Sequence, residues 1–166
     1  YFRVDWGQVE ETRESLKPVR ALCSKLDTMT WRDNLVSSEE NHYYLVSSSD
    51  FNRNPTQYQD ELQLFIEKAY TRNPYRDKVR LAYIGVPPIF TDLYQVLESL
   101  GARVVYNEVQ RQFSMPVPSN NIVEQYIKYT YPYGAFARLE DIQAEVARRN
   151  IDGIIHYTQS FCYRQI

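Results

Sequence analysis

Cysteine is scarce in this chain of 166 residues: there are two, Cys23 and Cys162. Two cysteines cannot staple a small secreted scaffold. Glycine is scarce as well, with five residues, and neither the dinucleotide fingerprint nor the Walker-type Gly-rich Lys motif occurs. Phosphate cradling by a glycine loop is therefore not expected. No apolar run approaches the ~20 residues of a membrane span, and no signal-peptide pattern opens the chain. Neither sign of charge dominates, since 19 Lys+Arg face 21 Asp+Glu for a net charge of −2. A nucleic-acid partner would call for a basic surplus on one face, so none is expected. These absences leave a soluble, cytoplasmic protein with no membrane and no nucleic-acid partner as the expectation.

What is present is tyrosine, 15 residues of it. Its apolar body and polar tip suit half-buried helix margins, or rings that face a partner chain. Hydrophobic residues at 43 % and charged residues at 24 % describe a globular chain with enough apolar surface for a core. The sequence opens on Tyr1 rather than Met and stops at Ile166, four residues past a cysteine. The expectation is a piece of a longer polypeptide.

Residues 1–76 read as helices joined by short polar connections. Val9, Leu16, Val19, Leu22 and Leu26 recur at helical intervals, with Pro18 starting a new segment or kinking this one. Thr30 is placed to cap a short turn through Leu35. Ser38, followed by Glu39 and Glu40, is placed to cap a helix with Tyr44 and Leu45 on its apolar side. A break at 52–56 precedes a stronger helix with Leu62, Phe65, Ile66 and Ala69 on one stripe, ended by Asn73-Pro74.

Residues 77–166 change period. Val79–Ile84, Ala102–Tyr106 and Ile151–Tyr157 read as buried strands. Between the first two lies a helix from about Phe90 to Leu100, with Leu93, Val96, Leu97 and Leu100 inward and Gly101 as its C′ residue. Between the second and third lie helices at about 121–129 and 139–149, the latter with Ile142, Val146 and Ala147 inward. This order predicts an α/β fold: a helical N-terminal segment, then a partial flavodoxin-like parallel sheet with flanking helices. Three strands make a narrow sheet with an exposed edge, so a further strand is expected in the parent protein.

In such a sheet, ligands gather beyond the carboxyl ends of the strands. The crevice residues there are Gly85, Pro87, Glu108, His156, Gln159 and Ser160, with Cys162 five residues past the third strand. A thiol leading into a helix N-terminus gains thiolate character, which suits metal ligation or nucleophilic attack; the plainer alternative is a small residue filling a turn. Cys23, among Leu22, Leu26 and Val19, reads as core packing. His156 is read first as a strand-end hydrogen-bonding group, since one His–Cys pair is no zinc site. Glu108 either lines the crevice or is solvated. No third group orients a Cys–His pair for hydrolysis.

The segments Val79-Arg-Leu-Ala-Tyr-Ile-Gly-Val-Pro-Pro88, Leu100-Gly-Ala-Arg-Val-Val-Tyr-Asn-Glu108 and Ile151-Asp-Gly-Ile-Ile-His-Tyr-Thr-Gln-Ser-Phe-Cys162 together resemble the 2-hydroxyacyl-CoA dehydratase / benzoyl-CoA reductase family. The likeness is to the second half of a D-component-type subunit, and the first 75 residues resemble the connecting helices before it. The resemblance implies a [4Fe-4S] cluster held by cysteines from two flavodoxin-like domains, with Cys162 matching a cluster ligand. It also implies a second subunit, an ATP-dependent activator that injects a low-potential electron, and an acyl-CoA substrate that loses water through a ketyl radical. The parent is then a lyase. A cluster needs about three or four thiolates, and this chain offers Cys162 plus an ill-placed Cys23, so the chain alone is expected to be inactive. Aromatic-CoA or enoyl reduction, a non-catalytic electron-transfer role, and a plain interaction domain with an inert cysteine are the alternatives.

Overall fold

The computed structural model describes residues 3–130 and 135–160. The helical half begins with α1 (Trp6–Ser15), where the Asp5 carboxylate accepts from the backbone N–H groups of Gly7 and Gln8 at 2.9 and 3.3 Å. One residue, Leu16, separates it from α2 (Lys17–Trp31). Pro18 sits in the first turn of α2, where its missing N–H costs nothing. Thr30 is not a cap: it lies inside α2, and its hydroxyl donates back to the Leu26 carbonyl at 3.0 Å.

The cap of α3 (Ser38–Ser47) lies one residue earlier than Ser38. Ser37 and Glu40 form a reciprocal capping box, each side chain accepting from the other's backbone N–H. That frees Ser38 for another task. Its hydroxyl donates to Glu98 at 2.8 Å and accepts from the Val104 N–H at 3.0 Å. After a 3-10 turn at Phe51–Arg53, α4 (Pro55–Ala69) starts on a proline capped by Asn54. Val19, Cys23 and Leu26 of α2, Leu45 of α3, and Leu62 and Ile66 of α4 close one core.

The second half supplies β1 (Val79–Gly85), α5 (Leu93–Ser99), β2 (Ala102–Asn107), α6 (Glu108–Phe113), α7 (Ile122–Ile127), α8 (Ala135–Arg148) and β3 (Gly153–Tyr157). The strands are all parallel in the order β2-β1-β3, which is how a flavodoxin-like doubly wound sheet opens. Ala82, Ile84 and Tyr106 pack under Ile142 of α8 on one face, and Tyr83 and Val104 under Tyr94 of α5 on the other. The fold is therefore α/β, a helical N-terminal segment followed by a small parallel sheet with flanking helices.

Three inward assignments change. Val96 and Leu100 are 48 % and 74 % exposed, and Ala147 is also exposed. Tyr94 takes the buried place on α5, because its hydroxyl reaches Asn107 at 2.9 Å and its ring meets Tyr83. Gly101 does serve as the C′ residue, with φ +82° and its N–H on the Glu98 carbonyl.

Buried arginines join the two halves. Arg103 of β2, 2 % exposed, donates to the Thr30 and Val36 carbonyls at 2.8 Å each and grips Asp77 at 2.6 and 2.8 Å. Through Ser38, α3 also covers the outer edge of β2, so β3 is the open edge of the sheet among the described residues. No helix among them is long and apolar enough to cross a membrane.

Candidate functional site at the strand tips

The chain leaves β1 toward β2 on one side and later returns to β3 on the other. The carboxyl ends of β1 and β3 thus form the switch point where doubly wound sheets place ligands. Gly85 closes β1 with φ +112°, a conformation that L side chains rarely adopt. A Cβ there would also lie 2.1 Å from the Tyr157 carbonyl oxygen. Only glycine lets the two tips approach this closely.

Glu108 completes the contact from the tip of β2. Its carboxylate accepts from the Gly85 N–H at 3.2 Å and takes both arms of Arg138 at 2.8 Å each. At 1 % exposure it lines the inside of the tips and is not solvated. A carboxylate forked by a guanidinium and hydrogen-bonded to backbone fastens the tip of β1 to α8. Arg138, thirty positions away, has no local signal in the sequence that would pair it with Glu108.

Aromatic rings cover the α5 side of the same tips. Tyr157 stacks on Tyr83 at 6.1 Å between centroids and meets the edge of Phe90 at 6.2 Å. The Tyr83 hydroxyl donates to the Val86 carbonyl at 3.0 Å, which fixes the start of the loop carrying half-buried Pro87. His156 is in register with Ile84, on the opposite face from Tyr157, and is exposed. Among the described residues its imidazole makes no hydrogen bond, so the strand-end hydrogen bond expected of it is not seen. Gln159, half-buried, and Ser160, exposed, come next on the segment beyond β3. Cys162 lies outside the described residues.

The other histidine, His42, carries no motif in the sequence that would single it out. In the fold it faces the tip of β2, its Nδ1 lying 3.1 Å from the Tyr94 hydroxyl and 3.3 Å from Gln110 Nε2. Burial pushes His42 below its ordinary pKa, with Glu39 pulling weakly the other way. The Tyr94 hydroxyl donates onward to Asn107, whose amide donates to Asn41, whose amide donates to Thr30 and Asp27. A continuous polar chain thus runs from the β2 tip into the helical half.

The described residues offer no group of three or more His, Cys, Asp or Glu side chains able to hold a metal ion. Cys23 is fully buried with its sulfur 3.8 Å from the Tyr58 hydroxyl, and burial pushes its thiol up to about 11. It packs in the core.

Comparison with known proteins adds one finding. The model of the family described as 2-hydroxyglutaryl-CoA dehydratase, D-component, matches residues 3–165. No curated protein and no solved structure matches the chain significantly.

Proposed function

The chain belongs to the 2-hydroxyglutaryl-CoA dehydratase D-component family, and from that membership we propose that it serves in a subunit of a 2-hydroxyacyl-CoA dehydratase-type enzyme. The reaction is loss of water from a 2-hydroxyacyl-CoA, carried out with a second subunit and an ATP-dependent activator. The observation that supports this reading is the family match across nearly the whole chain, both halves included. A switch-point crevice closed by Gly85, Glu108 and Arg138 is the kind of place where an α/β sheet receives a ligand.

The iron–sulfur cluster that goes with this reading does not fit the described residues. A cluster takes about three or four protein thiolates, whereas Cys23 is sealed in a core and holds its proton. Cys162 is the one cysteine left in the chain. We assign it the role of a single cluster ligand, the others coming from outside these 166 residues, so that the chain alone is inactive. A bound cluster would take up the low-potential electron that the activator injects.

The test is anaerobic preparation of the assembled dehydratase that contains this sequence, with iron and sulfide quantified for the parent and for Cys162→Ser. Loss of iron together with turnover is the expected result. Unchanged iron in the variant overturns the ligand assignment, and an assembled, iron-loaded enzyme that ignores 2-hydroxyacyl-CoA overturns the dehydratase reading.

A further inference from the structure

Away from the strand tips, a cavity of about 500 Å³ lies between the start of α2 and the segment running from Met115 into α7. Four cationic side chains line it: Arg13, Lys17, Arg20 and Lys128. Three of them are already neutralised. Arg13 grips Glu10 at 2.6 Å and also Glu14, Lys17 sits 2.6 Å from Glu14, and Lys128 sits 2.6 Å from Glu124.

Arg20 is the exception. One of its terminal nitrogens, Nη1, donates to the Ser114 carbonyl at 3.1 Å, and its guanidinium lies over the Phe51 ring at 5.2 Å. Its Nε–H is buried and has no partner. No carboxylate pairs with Arg20 among the described residues, and residues 1–2, 131–134 and 161–166 contain no Asp or Glu. Arg20 is half-buried, and its guanidinium has neither a counter-charge nor a complete set of acceptors. Burial works against the charge of Arg20, pressing its pKa downward from the arginine range, although a guanidinium stays protonated at neutral pH.

The rest of the lining divides into an apolar stretch, Met115-Pro116-Val117-Pro118 with Ala21, and a polar remainder that includes Ser24, Asn120 and Gln125. One uncompensated positive charge beside an apolar stretch matches a ligand with one negative charge and a short apolar body. A phosphate dianion would bring a second charge with nothing to neutralise it, close to Glu124. We infer that this cavity is a binding site for a small organic monoanion, a carboxylate whose head pairs with Arg20 and whose short chain lies against Pro116 and Val117. Carboxylate–guanidinium pairing supplies the missing counter-charge. The inference does not rest on the dehydratase reading.

The test uses the 166-residue chain, ¹⁵N-labelled, in a ¹H–¹⁵N NMR titration that tracks the Arg20 Nε–H resonance. Sodium pentanoate, pentanamide and sodium phosphate are the three probes. The expected result is a saturable downfield shift with pentanoate, with pentanamide and phosphate at least about tenfold weaker. Arg20→Gln should weaken pentanoate binding by about tenfold or more, while Arg20→Lys retains part of it. No saturable shift with pentanoate overturns the proposal. Equal binding of the uncharged amide does so too, and so does tighter binding of phosphate. The three-probe comparison on the unaltered chain decides the matter even if Arg20→Gln fails to fold.

Discussion

Arg149 is the side chain whose loss should be felt most. It is fully buried, with its guanidinium between the rings of Trp31 and Tyr106 at 5.7 and 4.8 Å. Two of its nitrogens fork onto Asp27 at 2.9 and 2.6 Å, a third donates to Glu145 at 2.7 Å, and one also reaches the Val105 carbonyl at 2.7 Å. Arg149→Met would leave two buried carboxylates facing an apolar side chain, a loss of about 3–5 kcal/mol for breaking one side of a buried ion pair. Domains of this kind have roughly 5–15 kcal/mol in total, so the variant should fold but with its Tm lowered by roughly 8–16 °C for a 4 kcal/mol loss. Asp27→Asn should cost a similar amount. Once either charge is gone the other has less to lose, so the double variant should fall short of the summed losses by about 1–3 kcal/mol. Urea unfolding monitored by far-UV circular dichroism measures all three. Fluorescence reports on the same place, because Trp31 packs against Arg149 whereas Trp6 is largely exposed. A loss below about 1 kcal/mol for Arg149→Met, or simple additivity, would refute the view that this pair binds α2 to the sheet half.

Gly85→Ala should cost at least about 2 kcal/mol through strain at positive φ and displacement of the β3 tip, seen as lost amide protection at Tyr157 in hydrogen exchange; protection equal to the parent's would contradict the close approach. In a Cys162→Ser background, Cys23 should resist thiol reagents at pH 8 until denaturant is added, because burial raises its thiol to about 11; rapid native-state labelling would count against core packing. Acid sensitivity arises from carboxylates held down in the fold. Burial opposes ionisation of Asp27 and Glu145, but Arg149 and Arg111, with their other hydrogen-bond donors, together outweigh it and hold both below their usual values. Their stabilising contribution is complete above the unfolded carboxylate range, about pH 4, and is lost as pH falls below it toward the folded values. The slope of stability against pH below 4 should be shallower in Asp27→Asn, and an unchanged slope would remove Asp27 as a cause.

Much of the sheet is legible in the sequence because apolar runs bounded by turn residues leave a strong signal. Val79–Gly85 becomes the central strand, and Ala102–Asn107 becomes its parallel neighbour. The α5 register departs from the aliphatic pattern for a physical reason. Counting Val96 and Leu100 as inward assumes that aliphatics outrank tyrosine, yet Tyr94 fills more space and finds Asn107 for its hydroxyl. Helix α6 is invisible in the sequence. Its residues, Glu-Val-Gln-Arg-Gln-Phe, have no apolar stripe, yet Glu108, Gln110, Arg111 and Gln112 are all buried. Arg111 reaches Asp141 and Glu145, and Gln112 bonds Asp141 and the Thr130 N–H. Such pairings span long stretches of sequence and carry no periodicity, so only the fold reveals them.

At the strand tips, the residues that the fold holds most firmly are the ones least fitted to react. Gly85 has no side chain, and Glu108 is closed off by Arg138. The groups with chemistry to offer, His156, Gln159 and Ser160, lie on or beyond β3, the open edge of the sheet among the described residues. Gly85 and Glu108 therefore fix where the chain departs after Tyr157, since the Tyr157 carbonyl sits where a Gly85 side chain would be. A rigid departure point matters only if a residue farther along the chain must be placed accurately. That condition is met if Cys162 is one ligand of a shared cluster, and it is not met if Cys162 merely fills a turn. Gly85→Ala consequently separates the two readings in the assembled enzyme: it should lower cluster occupancy under the first and leave iron content untouched under the second.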